Sequence, residues 1–206
     1  MSRRLVSGPG LAVCFVILLL LSLGPLLAVD RGLNQPWRET WPRVEPLMQM
    51  LVRLGQRAVC LPVLILVAAY YARRTRSWQP LLVSAASVLV LNLVVGICKI
   101  VTARGDPLSG DPGFFEQGVL FPSGHAANAV LVYGLAAHLA RRYDGPLSRA
   151  ARLLTGLTWF VCVAMLVTGL YFRWHWLTDL VAGYLVGGVV LRATIYGELR
   201  FAEHRT

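Results

Sequence analysis

The feature that most constrains this chain is a series of apolar stretches separated by short polar segments. An apolar stretch of about 20 residues can cross a bilayer as a helix, and a helix satisfies its own backbone hydrogen bonds in lipid. With 56% hydrophobic and only 15% charged residues, the 206-residue chain is too apolar for an ordinary soluble domain. The sequence therefore predicts an all-α, integral-membrane bundle of six transmembrane helices, with residues 1–206 as a single domain. The predicted spans are residues 11–29, 47–71, 81–100, 125–140, 153–171 and 176–193.

The first two spans depend on further arguments. Residues 11–29 follow a basic N-terminus, as a signal peptide would, but no small-residue cleavage site comes after them, so an uncleaved first helix is expected. The apolar run at 58–71 is short for a span. Residues 47–56 are therefore expected to extend the same helix, with Arg53 and Arg57 either reaching the membrane surface or facing a polar site.

The distribution of positive charge predicts the orientation in the cell membrane. The net charge is +10, but the basic residues form short clusters between apolar stretches, which is typical of topology signals and excludes a nucleic-acid-binding face. Placing both termini in the cytoplasm puts most of the 20 Lys and Arg residues on that side. The extracytoplasmic connections and the adjoining helix ends then contain Lys99, Arg104, His125, Arg173, His175 and Asp179.

A polar, turn-prone segment at residues 121–125, Phe-Pro-Ser-Gly-His, leads directly into the fourth apolar stretch. Ser123 is a suitable helix N-cap, Gly124 allows close approach of a ligand to the backbone, and His125 falls in the first helical turn. Such a helix start presents unpaired N–H groups and the positive end of the helix dipole, which favours a bound phosphate. Taken alone, so short a segment is more typical of an ordinary helix start.

His175 and Asp179 lie four residues apart at the start of the sixth apolar stretch. On a helix this spacing places both side chains on one face, where a carboxylate can accept a hydrogen bond from one imidazole nitrogen and leave the other as a nucleophile. A structural pair that caps the helix is the alternative. Ionisable residues near the ends of membrane helices are costly, so a functional role is favoured for this pair.

These segments resemble the ordered signature motifs of the type 2 phosphatidic acid phosphatase (PAP2) superfamily of membrane lipid phosphatases. The likeness extends over residues 95–190 and rests on residues 99–107, on Pro-Ser-Gly-His at 122–125, and on His-Trp-Leu-Thr-Asp-Leu-Val-Ala-Gly at 175–183. In that family, one histidine is phosphorylated, another protonates the leaving oxygen, and an aspartate orients the nucleophile. The resemblance assigns these roles to His175, His125 and Asp179.

The chain departs from the family pattern at two arginine positions. Asp106 stands where the first motif has arginine, and Gly169 stands where the third motif has arginine. Lysine cannot reproduce the bidentate contacts of a guanidinium with phosphate, so the neighbouring Arg104 and Arg173 are expected to replace the two arginines. The predicted phosphate-binding residues are Lys99, Arg104, Ser123, Gly124 and Arg173.

The resemblance implies a lipid phosphatase that hydrolyses a phosphomonoester or diphosphate, such as phosphatidate, phosphatidylglycerol phosphate or polyprenyl diphosphate, through a phosphohistidine at the outer face. The expected partners are the lipid phosphate and the bilayer, without an obligate protein partner. The nearby cationic side chains would oppose a metal ion, so a metal-independent enzyme without a cofactor is expected. A lipid phosphotransferase and a catalytically silent lipid-binding protein remain the alternatives.

Two further pairs of residues lie within the predicted spans. Asn92 and Asn128 are polar in apolar surroundings, and such residues commonly hydrogen-bond between helices, although Asn128 lies one turn beyond His125. Gly183 and Gly187 have the small-residue spacing that permits close helix contact, which is expected within the bundle rather than in a dimer.

Overall fold

The computed structural model describes residues 7–108, 113–115 and 118–203, without the side chains of Leu199 and of residues 201–203. Within these ranges every regular element is helical. The α-helices are α1 (Gly8–Ser22), α2 (Leu27–Leu33), α3 (Trp37–Thr40), α4 (Glu45–Arg53), α5 (Arg57–Thr75), α6 (Gln79–Thr102), α7 (Gly124–Asn128), α8 (Gly134–Asp144), α9 (Arg149–Tyr171) and α10 (Leu177–Glu203). A 3₁₀ turn (Pro42–Val44) precedes α4, and a π-helical turn (Ala129–Tyr133) joins α7 to α8.

Among the described residues, four helices are by themselves long and apolar enough to cross a membrane, namely α5, α6, α9 and the part of α10 up to Glu198. The segments Gly8–Ser22 and Leu27–Thr40 pass together as a bent pair, which would be a fifth span. Residues 124–144 are continuously helical through the π-helical turn and reach roughly 30 Å, about the thickness of a bilayer core. The all-α membrane architecture is confirmed, whereas six crossings and cytoplasmic termini stay predictions.

The first predicted helix is shorter than expected, because it ends and bends before residue 29. α1 stops at Ser22, and the segment after it turns by 80°. Pro25 has no N–H to donate, and its ring would clash with the carbonyl four residues earlier, which favours a break or bend of the helix at this position. The bend directs α2 into the bundle, where Asp30 is only 1% exposed.

The predicted continuous helix over residues 47–71 is also wrong, since the chain turns between α4 and α5. Gly55 lies in this turn, and a Cβ atom there would come within 2.1 Å of Met165 Sδ and 3.3 Å of His125 Cβ. A regular helix with a side chain at this position could not pass so close to α9 and α7. α4 therefore packs against α9, and α5 begins beside His125.

α10 is the central helix of the bundle. It packs against α1, α6, α7, α9 and the π-helical turn. Two glycines let it approach α7 closely: a Cβ on Gly183 would lie 2.4 Å from the Ser123 carbonyl oxygen, and one on Gly187 would lie 2.6 Å from that of Ala127. The expected close packing within the bundle is confirmed, and it holds the second and third motifs against each other.

Candidate active site

The backbone of the second motif is tied directly to the third. Ser123 is the N-cap of α7, and its Oγ accepts a hydrogen bond of 3.4 Å from the Ala126 N–H. The Ser123 N–H donates to the main-chain carbonyl of Asp179 over 2.9 Å. His125, in the first turn of α7, is therefore placed next to the start of α10.

A cavity of about 680 Å³ lies between α5, α6, α7 and the connection that precedes α10. The sequence motifs bring five predicted site residues to its wall, since Lys99, Gly124, His125, Arg173 and His175 all line it. Both histidines, a lysine, an arginine and a helix start thus share one concave surface. Such a surface suits a phosphate group better than a cation.

Asp179 lies in the first turn of α10 and is close to His175, which precedes that helix, so the two do not share a helical face as the spacing predicts. Its Oδ2 lies 3.5 Å from His175 Nδ1 and accepts a 3.0 Å hydrogen bond from the Trp176 N–H. The imidazole Nδ1 makes no hydrogen bond to any residue that the structure describes. The carboxylate is thus within electrostatic reach of the ring, while its hydrogen bonds go to other donors.

Arg104 does not line the cavity. Its guanidinium is fully buried, with Nη1 2.5 Å from Asp179 Oδ1 and Nη2 2.6 Å from Asp30 Oδ2. Nη1 also donates to Thr178 Oγ1 over 2.6 Å, and the Phe114 ring lies 4.6 Å from the guanidinium carbon. Arg104 therefore joins two carboxylates behind the site instead of facing the space where a phosphate would bind.

Asp30 is a member of this cluster that the motifs do not include. Its Oδ1 accepts from the Thr178 N–H over 3.1 Å, and its Oδ2 contacts Thr178 Oγ1 at 2.6 Å. An ionised group this deeply buried is costly unless it is paired and hydrogen-bonded, which Asp30 is on both oxygens. The sequence signal for it was a single acid at the end of an apolar run, which identifies no partner.

Arg173 lies at the cavity wall in a left-handed backbone conformation, with φ of 52°. Its Nε donates to Asn34 Oδ1 over 2.8 Å, and its Nη2 donates to the Pro107 carbonyl over 3.1 Å. These two contacts hold the guanidinium at the rim of the cavity. The side chain is thereby fixed by α2 and by the segment after α6.

The remaining predicted positions divide between the cavity and the core. Lys99 faces the cavity and donates from Nζ to the Val119 carbonyl. Ser123 is fully buried, and only its neighbour Gly124 reaches the wall. Of the two positions where the family has arginine, Asp106 lines the cavity and Gly169 is buried. A Cβ atom on Gly169 would lie only 2.8 Å from Leu180 Cδ2, so a larger side chain has little room there.

The cavity has further polar lining residues outside the three motifs. Arg57 and Gln56 reach it from the start of α5. Arg57, which was expected either to reach the membrane surface or to face a polar site, lies at the cavity. Asn92, two turns before Lys99 in α6, and Asn128, one turn after His125, line the deeper part of the wall. In the described ranges, no three His, Cys, Asp or Glu side chains are grouped as metal ligands would be.

Comparison with known proteins agrees with the geometry. The PAP2 superfamily model matches residues 80–201. Phosphatidylglycerophosphatase B of Bacillus subtilis (strain 168) is 24% identical over 157 residues, which are 75% of this chain and 72% of that protein. The crystal structure of a transmembrane PAP2 type phosphatidylglycerolphosphate phosphatase from Bacillus subtilis has a TM-score of 0.68 and 19% identity, covering 94% of this chain and 96% of that one. The resemblance seen in the sequence is confirmed, and the chain belongs to the PAP2 superfamily as a multi-pass membrane PAP2-type phosphatase.

Proposed function

We propose that the protein hydrolyses the terminal phosphate of a lipid at the outer face of the cell membrane, with phosphatidylglycerophosphate as the first substrate to test. The observation that carries the proposal is the shared cavity, in which two histidines face a cluster of cationic side chains. The activity named for the Bacillus subtilis relative supports the choice of substrate. The outer face follows from the charge distribution of the chain.

In the first step, His175 Nε2 attacks the phosphorus, so that an N–P bond forms and the P–O bond to the lipid breaks. His125 gives its proton to the departing oxygen, which leaves as an alcohol. Lys99, Arg173 and the N–H groups at the start of α7 face the non-bridging oxygens and stabilise the charge that develops on them. In the second step, water attacks the phosphohistidine, His125 takes the water proton, and phosphate leaves. Neither step requires a metal ion, because the cationic side chains supply the positive charge.

Arg104 has a different role in this proposal from the phosphate contact expected from the sequence. Its guanidinium binds Asp179 on one side and Asp30 on the other. Asp179 therefore keeps one orientation and stays within reach of His175 Nδ1, where it stabilises the positive charge on the ring during phosphorylation. Arg104, Asp30 and Thr178 act as positioning residues and do not touch the substrate.

The test is phosphate release by the purified protein from phosphatidylglycerophosphate, phosphatidate and polyprenyl diphosphate. The parent protein should release phosphate from at least one of them with a chelator present and form an acid-labile phosphoenzyme. His175→Asn should lose both properties. His138→Asn is the matched control, since His138 is bonded to Glu198 outside the cavity, and it should retain both. Full turnover in His175→Asn would exclude the mechanism.

A further inference from the structure

Two asparagine amides line the active-site cavity beyond the cationic cluster. Asn92 lies seven residues, or two helical turns, before Lys99, and therefore on the same face of α6 about 10 Å further into the membrane. Asn128 lies three residues after His125 and about 4.5 Å deeper along its helix. The cavity thus has a charged upper part and an uncharged, hydrogen-bonding lower part.

Both amides are available to a ligand. Asn128 is only 6% exposed and Asn92 is half-buried, yet neither makes a hydrogen bond to a residue in the described ranges. Asn92 and Asn128 therefore lack the interhelical hydrogen bonds that polar residues within membrane spans commonly form. The amide atoms of Asn92 and Asn128 are not shut away in the core, because both side chains line the open cavity. Their donors and acceptors therefore face the space that a ligand would fill, and a polar group on the ligand would pair with them there.

The position of the amides identifies which part of the ligand they would meet. When the reacting phosphate lies between His125, His175 and Lys99, the group one helical turn deeper is the leaving group of the lipid. In a glycerolipid this group carries oxygen atoms a few bonds from phosphorus, either a glycerol hydroxyl or an ester carbonyl. In a polyprenyl phosphate it is hydrocarbon and would leave both amides unpaired.

We propose that Asn92 and Asn128 form a leaving-group subsite that binds the glycerol-derived oxygens of the substrate and selects glycerophospholipids over polyprenyl phosphates. The proposal rests on the proposed function, because the phosphate site above the amides sets the depth of the lipid. A site built to hydrogen-bond a substrate oxygen discriminates strongly against an analogue that lacks it, since its own polar groups are then buried unpaired.

Binding is the direct test, and it is measured on the His175→Asn protein in detergent micelles so that no ligand is consumed. The ligands are phosphatidylglycerophosphate, diester phosphatidate, dialkyl ether phosphatidate and a polyprenyl monophosphate of similar chain length. The glycerolipid phosphates should bind at least about 5-fold more tightly than the polyprenyl phosphate. Adding Asn128→Leu or Asn92→Leu, which keep the branched shape of the side chain but remove its polar atoms, should each reduce that preference about 2- to 10-fold, the effect of losing one hydrogen bond.

Ser87→Ala is the control, because Ser87 lies on α6 away from this cavity and bonds to Thr194. It should leave the preference unchanged. If the asparagine variants lose affinity for diester phosphatidate but not for dialkyl ether phosphatidate, the bound oxygens are the ester carbonyls. If they lose affinity only for phosphatidylglycerophosphate, the bound oxygen is the headgroup hydroxyl. Asn92 is half-buried and its variant should fold even where Asn128→Leu does not.

Three results separate this inference from the proposed function. Equal binding of all four lipids, or an unchanged preference in the asparagine variants, would overturn the subsite while hydrolysis by the parent protein stands. A clear preference together with an inactive parent would support the subsite and exclude the catalytic proposal. Failure to bind any of the four lipids, together with an inactive parent protein, would overturn both.

Discussion

Asp179 illustrates how much of this site depends on side chains outside the cavity. Its two oxygens accept hydrogen bonds from Arg104 Nη1 and the Trp176 N–H, and His175 Nδ1 is 3.5 Å away. Arg104 in turn is shared with Asp30, which belongs to the first part of the chain. The carboxylate beside the predicted nucleophile is therefore held by a buried chain of charges that begins in α2.

Asp30→Asn tests this chain of contacts. The amide keeps the shape of the side chain but removes the charge that holds one side of Arg104, so Asp179 should shift relative to His175. Because small displacements of reacting groups cost up to about 10²-fold in rate, we expect kcat to fall about 10- to 100-fold with KM nearly unchanged. Asp144→Asn is the control, since Asp144 pairs with Tyr71 and Arg74 outside the cavity. A purely structural role for Asp30 would lower the melting temperature but leave the kcat of the folded fraction intact.

Arg173 is the predicted phosphate ligand whose geometry is most specific. Its guanidinium lies at the cavity wall and donates hydrogen bonds to Asn34 and to the Pro107 carbonyl. These two contacts fix the orientation of the planar group. Arg173→Ala and Arg173→Lys should both lower kcat/KM by about 10-fold or more, because lysine keeps the charge but loses the fork. Steady-state kinetics on a lipid phosphate measures the effect. Normal kinetics in Arg173→Lys would show that only the charge matters, and normal kinetics in Arg173→Ala would make it a membrane-surface anchor.

At the scale of elements, the contact between α7 and α10 aligns the second motif with the third. The contact is close because α10 presents Gly183 and Gly187 to the α7 backbone. It is reinforced by the hydrogen bond from the Ser123 N–H to the Asp179 carbonyl. Any separation of these helices would move His125 away from His175, so packing and catalysis are expected to be lost together.

Gly183→Ala tests the packing of the two helices. The added methyl group would lie 2.4 Å from the Ser123 carbonyl oxygen, a backbone atom that can move only with its helix. We expect a loss of stability of about 1–3 kcal/mol, seen as a lower melting temperature, and a matching loss of phosphatase activity. Gly156→Ala in α9 is the control, since a Cβ there meets no atom within 4 Å. An unchanged melting temperature in Gly183→Ala would show that the helices separate without cost.

At the scale of the whole molecule, the two ends of the bundle differ in chemistry. Exposed aromatic side chains, which are typical of a membrane–water boundary, occur at both ends, with Trp41, Phe115 and Trp174 at the cavity end and Trp78 at the other. Only the end opposite the cavity carries the arginine clusters at residues 73–76 and 141–152. The positive-inside rule therefore predicts that the arginine-rich end is cytoplasmic and that the cavity is extracytoplasmic.

Cysteine labelling in whole cells measures the orientation. In a variant whose four natural cysteines are replaced, Phe115→Cys should react with a membrane-impermeant maleimide in intact cells, because this side chain is 72% exposed at the cavity end. Leu147→Cys, 81% exposed at the opposite end, should react only after the cells are permeabilised. The reverse pattern would put the active site in the cytoplasm and contradict the predicted topology.

The sequence by itself determined the membrane class, most of the helices and the order of the three motifs. These features are local, because apolar length, helix-start residues and i, i+4 spacing act within a few turns of chain. Where a local rule met a tertiary requirement it failed, as at Gly55, where close contact with Met165 and His125 divides an expected helix into α4 and α5.

Only the tertiary structure decided which polar groups meet the substrate space and which support it. Arg104 and Asp30 are 74 residues apart, and neither residue type reveals that the two will share a buried ion pair. Arg57, Asn92 and Asn128 likewise become cavity residues only when α5, α6 and α7 are assembled. The physical reason is that a buried charge is stable only with a specific partner in space, and that only packing between distant segments determines which side chains share a cavity.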